Sequence, residues 1–305
     1  MIAYIVRRLA AVVLILLGVS AITYCLLFLL PADPVDLLAG RNATPEMREA
    51  LRQELGLDRP LPVQYAVYLG KLVQGDMGRS LAQKVDVSLL IAARLPATLQ
   101  LMAAAIAASL LLGLPAGMYA AMRRGTVPDK AAMIVSFAGV SAPQFVIGLL
   151  LLYLFAYKLG WLPMGGYGLS HIILPALTVA VANGGWYSRM MRSSMIEVLT
   201  QDYMRTARAK GLSRWRAVLN HGFRNAMLPI IAMVGIDMGY LITNIVIVES
   251  VFGWPGIGQL LWQGIQRLDY TIIIGVTITA AVVITLANLL ADLLTPLIDP
   301  RIELR

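Results

Sequence analysis

The segment Asp202–Pro229, DYMRTARAKGLSRWRAVLNHGFRNAMLP, is strongly basic and lies between two long apolar stretches. With membrane-like sequence on both sides, it reads as a water-exposed loop with structure of its own. Two short helices are punctuated in it: Gly211 closes the first and Ser213 N-caps the second. In the second, Trp215, Val218, Leu219, Gly222 and Phe223 fall on one face, with Arg214, Arg216, Asn220 and Arg224 largely elsewhere. A helix of that pattern lies flat on lipid or on another protein. A solvated basic loop that merely obeys the positive-inside rule has the same composition, so composition alone favours that plainer reading.

The flanks fix the class of the whole chain. Of 305 residues, 59% are hydrophobic and only 14% charged, with a mean hydropathy of +0.75, whereas soluble domains carry ~25% charged residues. Runs of ~18 or more residues nearly free of charge mark membrane spans. They read Leu9–Pro31, Leu95–Met122, Ala131–Tyr157, Leu159–Ser188, Asn225–Val248 and Tyr270–Ala291. The fourth begins with a turn-rich stretch, and Asp237 interrupts the fifth. Pro143 and Pro175 predict kinks in the third and fourth. The fold class is an all-α integral membrane protein, a six-helix transmembrane bundle with a small external helical segment.

Lys and Arg set the orientation. With the N-terminus inside, Arg7, Arg8, Arg123, Arg124, Lys130, the basic loop, Arg301 and Arg305 are all cytoplasmic. The short external segments hold only Lys158 and Arg267. Both termini are therefore expected in the cytoplasm, with the chain multi-pass in its membrane. The net charge of +8 and pI near 9.7 belong to membrane lipid and insertion bias rather than to nucleic acid, since no basic stripe with interleaved aromatics forms a base-stacking platform. Arg7-Arg8 and the following run resemble a signal peptide, but the apolar core is too long and no small-residue cleavage site follows, so an uncleaved anchor is expected.

Three parts follow: an N-terminal anchor helix at 1–31, an external segment at 32–94, and a transmembrane core at 95–305 whose cytoplasmic loop covers 189–228. In the external segment Thr44 N-caps a helix with Pro45 in its first turn, running to Gly56, and a second helix follows Pro62 through Leu69. This segment is a structural cap, a docking surface, or both.

Chemistry-bearing constellations are scarce. His171 and His221 are the only histidines and fall near opposite membrane faces, so they cannot share a metal or a proton relay. Cys25 is the one cysteine, and inside the first span it reads as a small packing residue. No GxxxxGK[ST] phosphate loop occurs. Polar residues within the spans are the remaining lead, because burying a carboxylate there costs ~2.5–3.5 kcal/mol. Asp237 and Asn244 share a face of the fifth span, while Ser141 and Gln144 lie in the third. They line a hydrophilic path or bond helix to helix. Past Glu249, the segment Phe252–Gly256 reads as re-entrant or interfacial, with Trp254 as an aromatic anchor.

Four separated stretches share one resemblance. GLDRPLPVQYAVYL at Gly56–Leu69, GDMGRSL at Gly75–Leu81, DYMRTARAKG at Asp202–Gly211 (with TARAKGLS and RNAMLP in the same basic segment) and VESVFGWPGIGQLL at Val248–Leu261 are similar, in that family's order, to ABC importer permeases. They look most like those for dipeptides, oligopeptides and nickel. Arg205, Thr206 and Ala207 stand where the family's cytoplasmic loop has Glu-Ala-Ala, and Gly211 is its glycine. Pro229 comes later than in the general pattern, as in the peptide subfamily.

The resemblance implies that Arg205, Thr206, Ala207, Ala209, Gly211 and Leu212 form a coupling loop that docks on a separate ATPase, with Thr206, Ala207 and Ala209 aimed into its groove. It implies a homologous second permease, two ATPase subunits and an extracytoplasmic solute-binding protein as partners. ATP and Mg would then be bound by the partners, with no cofactor in this chain. The cargo would be peptides or peptide-like solutes. The alternative from another class is a secondary transporter driven by an ion gradient. It needs intramembrane acids and usually inverted repeats; Asp237 supplies one acid, and no repeat relates the two halves. An intramembrane enzyme lacks any nucleophile–base set.

Overall fold

The computed structural model describes residues 2–28, 35, 44–54 and 58–298. The expected end of the first span at Pro31, the end of the next helix at Gly56 and the tail cations Arg301 and Arg305 lie outside them. The chain divides into two compact units, residues 1–96 with 260–283, and residues 97–259 with 284–305.

The first unit begins with α1 (Ile2–Phe28), an apolar helix whose span carries almost no buried side chains. It continues with α2 (Pro45–Glu54) and α3 (Leu61–Val73). Thr44 caps α2 through its hydroxyl, which accepts from the Met47 amide at 3.3 Å. Ser20 and Tyr24 of α1 meet Tyr65 and Gln64 of α3 at 2.7 and 3.2 Å. The loop 75–86 then feeds α4 (Val87–Met122), a helix of 36 residues that starts well before the charge-free run because Arg94 sits within it.

The second unit is organised around α7 (Ile173–Leu199). Preceding it are α5 (Val127–Ser141) and α6 (Gln144–Leu151), the latter continuing as π-helical turns to Lys158. Small residues let these helices touch backbone to backbone. A Cβ at Gly113 would lie 2.6 Å from the Gly184 carbonyl oxygen, one at Gly117 would overlap that of Ser188, and one at Gly139 would lie 2.6 Å from that of Val181. In an apolar solvent such close packing replaces the hydrophobic drive that assembles soluble bundles. After α7 come α8 (Asp202–Ala209), α9 (Arg214–Ala217), a π-helical turn at Val218–Gly222 and α10 (Phe223–Phe252). Next are α11 (Ile257–Gln266) and α12 (Tyr270–Ile298).

Among the described residues, four helices are long and apolar enough to cross a membrane, and a fifth span is counted if the bent α5–α6 pair is taken as one. Several expectations change. Pro143 does not kink a continuous third span; it breaks the helix with a bend of 104°, because Ala142 before it is extended at ψ 133°, as a residue ahead of proline prefers. Pro175 produces no kink, since it sits in the first turn of α7, where no helical acceptor awaits its missing N–H. The fourth span starts at Ile173 rather than Leu159 and extends past Ser188. It is long enough to cross, at ~40 Å, but Arg189, Arg192 and Glu197 make it the least apolar of the long helices. The second short helix of the basic loop is continuous with the fifth span, giving one helical run over Arg214–Phe252.

Candidate functional site

The basic loop is a packed hairpin. Met191, Met195 and Val198 of α7 form a buried cluster with Met204 and Ala207 of α8, Ala217, Val218, and Ala226 and Ile230 of α10. Met204 is 3% exposed, and burying a methionine stabilises by ~1.5–3 kcal/mol, enough to hold an eight-residue helix that would not persist alone. Gly211 has φ +87°, the left-handed backbone that closes α8 and turns the chain. Ser213 then caps α9, its hydroxyl accepting from the Arg216 amide at 3.4 Å. Asn225 donates to the Tyr203 hydroxyl at 3.1 Å, tying α8 to α10.

This packing sorts the sequence candidates. Arg205, Thr206, Ala209 and Gly211 are exposed, and Leu212 is partly buried against the cluster. Ala207 is turned into its own chain at 7% exposure; it does not face outward beside Thr206 and Ala209. Its small size is required by its own core, and the outward face of α8 is Arg205, Thr206 and Ala209. Arg205 is loosely paired with Asp202 at 3.4 Å, and both are so exposed that the pair contributes little. In the second short helix, Val218 and Gly222 are buried, while Trp215 and Leu219 remain exposed at 46% and 44%.

Arg189 and Arg192 lie on α7 itself rather than in the loop. The Arg192 guanidinium donates to both oxygens of Asp129, at 2.6 and 2.8 Å, and the Gly125 amide donates to the same carboxylate at 2.9 Å. Sequence reading missed Asp129 because its partner is 63 residues away; the only local signal was a single acid in the run Arg123–Lys130. Arg189 stacks on Trp186 and Phe137, with ring centroids 4.1 and 4.6 Å from its guanidinium carbon.

The path candidates do not converge. Asp237 lies near the fully buried Tyr187 of α7, but the Tyr187 hydroxyl makes no hydrogen bond among the described residues. Asn244 donates to the Tyr240 carbonyl of its own helix at 3.1 Å. Ser141 and Gln144 flank the α5–α6 break, Ser141 exposed and Gln144 with a buried amide oxygen lacking a hydrogen bond. Among the described residues, no hydrogen bond joins either of them to Asp237 or Asn244.

Two fully buried carboxylates organise two of the other quoted stretches. In VESVFGWPGIGQLL, Glu249 accepts from the Thr98 hydroxyl at 2.7 Å and from the Gln259 amide at 3.0 Å, while Thr98 accepts from the Ile257 amide at 2.9 Å. Glu249 and Thr98 together thus cap the start of α11. Gly256 has no room for a side chain, because a Cβ there would overlap the Glu249 carboxylate. Trp254 is not an interfacial anchor: it is 1% exposed and donates its indole N–H to the Ala97 carbonyl at 2.9 Å. In GDMGRSL, Ser80 donates to Asp269 at 2.6 Å, and the Ala82 amide donates to the same oxygen at 2.9 Å. The other Asp269 oxygen accepts from the Ile272 amide at 3.3 Å, capping α12.

Comparison with known proteins gives a consistent picture. Residues 113–304 match the family described as binding-protein-dependent transport system inner membrane component. Residues 1–102 match the N-terminal part described for the same membrane components. A Brucella ovis protein whose name describes a peptide permease is 41% identical over 317 residues, covering 99% of each chain. The glutathione transport system permease protein GsiC of Escherichia coli (strain K12) is 39% identical over 304 residues, again covering 99% of each. The crystal structure of an amino acid ABC transporter with histidines superposes with a TM-score of 0.52 at 18% identity, over 70% of this chain and 95% of that one.

Proposed function

The chain belongs to the family of binding-protein-dependent transport system inner membrane components, a multi-pass permease subunit of an ABC importer, and from that premise we propose how it is coupled and what it carries. The outward face of α8, with Arg205, Thr206 and Ala209, docks on an ATPase subunit. Gly211 sets the turn that presents this face. The observation that carries the reading is that α8 is packed by Met204 and Ala207 onto its own core while the face with Arg205, Thr206 and Ala209 is exposed. A helix that must transmit movement has to be fixed at its back and free at its front.

Further parts of the reading rest on the family and on sequence. The assembly comprises this chain, a homologous permease, two ATPase subunits and an extracytoplasmic binding protein, with ATP and Mg on the ATPase subunits. Both termini and the α8–α9 hairpin are cytoplasmic. The cargo is a peptide or peptide-like solute, supported by relatives whose names describe peptide and glutathione permeases. Nucleotide-driven closure of the ATPase pair moves the hairpins, and the bundle alternates because each of its states binds the partners differently.

The test uses the assembled complex. Gly211→Val should abolish uptake and substrate-stimulated ATPase activity while leaving membrane insertion intact. A cysteine at Ala209, which is exposed, should crosslink to the ATPase. Normal uptake in the Val variant with no crosslink from position 209 would reduce the hairpin to an ordinary basic loop.

A further inference from the structure

At the end of α4, beside the start of α9, lies a cavity of about 910 Å³. It falls in the ~300–1,000 Å³ range of small-molecule sites. Arg123, Arg124 and Arg214 line it together with Tyr119 and Trp215, and no carboxylate lines it. None of the three arginines is in a salt bridge among the described residues. The neighbouring acid, Asp129, is hydrogen-bonded to Arg192 and the Gly125 amide and acts on Arg124 only through charge, as the smallest of its interactions. Arg214 is oriented by one bond, from Nη2 to the Met122 carbonyl at 2.6 Å, which leaves its other donors uncommitted. Arg123 rests on the Tyr119 ring, 5.6 Å from its centroid. Three like charges gathered in one cavity repel one another unless an anion joins them.

Position narrows the anion. Arg123 and Arg124 follow directly on the apolar helix α4, so the cavity sits where hydrocarbon gives way to headgroups. Tyr119 and Trp215 are 45% and 46% exposed, and amphipathic rings half in contact with solvent mark that level. Leu112, 48% exposed, lies two turns back from Tyr119 on the same face of α4, ~10 Å deeper. The sequence from the cavity inward is therefore guanidinium, aromatic, aliphatic, which is the order of groups along a phospholipid.

We propose that this cavity holds the phosphate headgroup of an anionic phospholipid, with Arg123, Arg124 and Arg214 on the phosphate and Tyr119 and Trp215 at the glycerol level. Which leaflet supplies the lipid rests on the orientation proposed above; the chemistry of the site does not. Because Arg214 and Trp215 open the helix that leaves the hairpin, the bound lipid would also fasten the hairpin to the bilayer surface.

The experiment is native mass spectrometry of the full-length chain in mild detergent, titrated with phosphatidylglycerol, phosphatidylcholine or the water-soluble glycerol 3-phosphate. Phosphatidylglycerol should be retained selectively over phosphatidylcholine, and excess glycerol 3-phosphate should not displace it. The double variant Arg123→Gln/Arg124→Gln should weaken retention about 30-fold, which corresponds to ~2 kcal/mol at ~1 kcal/mol per surface cation. Arg124→Lys, which keeps the charge and the fold, should lose much less. Equal retention in the wild type and the double variant would overturn the site. Displacement by glycerol 3-phosphate would assign it to a soluble anion and overturn the lipid reading. No ATPase subunit is present in this assay, so a failed crosslink from position 209 would end the coupling reading while leaving this result untouched.

Discussion

Gly211 and Ser213 show what a single residue can disclose. Each acts on backbone within three positions of itself, so a left-handed turn at φ +87° and a cap on the Arg216 amide were legible from local pattern. An added Cβ at Gly211 would meet nothing within 4 Å, so any loss on substitution reports the backbone alone. Gly211→Asn should therefore keep most uptake, since Asn tolerates the left-handed region, whereas Gly211→Val should lose it. Initial uptake rates in the assembled complex decide the order, and equal rates for the two variants would remove backbone strain as the cause. Residues whose partners are remote were not legible. Trp254 reads as an interfacial ring because nothing within its own segment announces the Ala97 carbonyl that accepts its N–H. Glu249 is a second case. Its replacement by Ala would strand the Thr98 hydroxyl and the Gln259 amide in a dry site, costing roughly 2–4 kcal/mol. Thermal unfolding of the purified chain in detergent should show the loss, and Glu249→Gln should lose less.

At the scale of elements, existence was easier to read than continuity. Apolar runs located the long helices, yet periodicity could not say that α9 flows into α10, or that Pro143 breaks its helix while Pro175 leaves α7 straight. The difference between the prolines is positional: one follows a residue that has already left the helix, the other occupies a first turn. The join between α5 and α7 depends on Asp129 and Arg192, with side chains 5% and 27% exposed. Removing one member of so enclosed a pair strands the other, so Asp129→Asn should destabilise by about 2–4 kcal/mol. A double-mutant cycle with Arg192→Gln should return a coupling above ~1 kcal/mol. Additivity of the two changes would mean that the pair does not join the helices.

For the whole molecule, composition was enough to declare a helical membrane protein, and the number of spans was the difficult part. The helix that resists counting is α7, whose surface is spent on neighbours rather than lipid: Gly184, Gly185, Tyr187 and Ser188 are all buried. A hydropathy window averages every side chain, so the buried Asn183, Gly184, Gly185 and Ser188, together with Arg189, Arg192 and Glu197, make this helix read as the least membranous. Topology follows from charge instead. A reporter after Arg305 should read cytoplasmic and one near Gln53 external; both on the same side would contradict an even number of crossings. The purified chain should also show no saturable Mg-dependent ATP binding without its ATPase partners, as equilibrium binding with labelled nucleotide would reveal. The two buried carboxylates carry one more consequence, which concerns time. Glu249 serves a hydroxyl made 151 residues earlier, and Asp269 serves one made 189 residues earlier. On the ribosome, Thr98 and Ser80 must therefore wait for most of the chain to be synthesised before their acceptors exist. A nascent permease stopped short of Glu249 has no acceptor for either hydroxyl, and the cell's proteases have a chemical reason to treat it as unfinished.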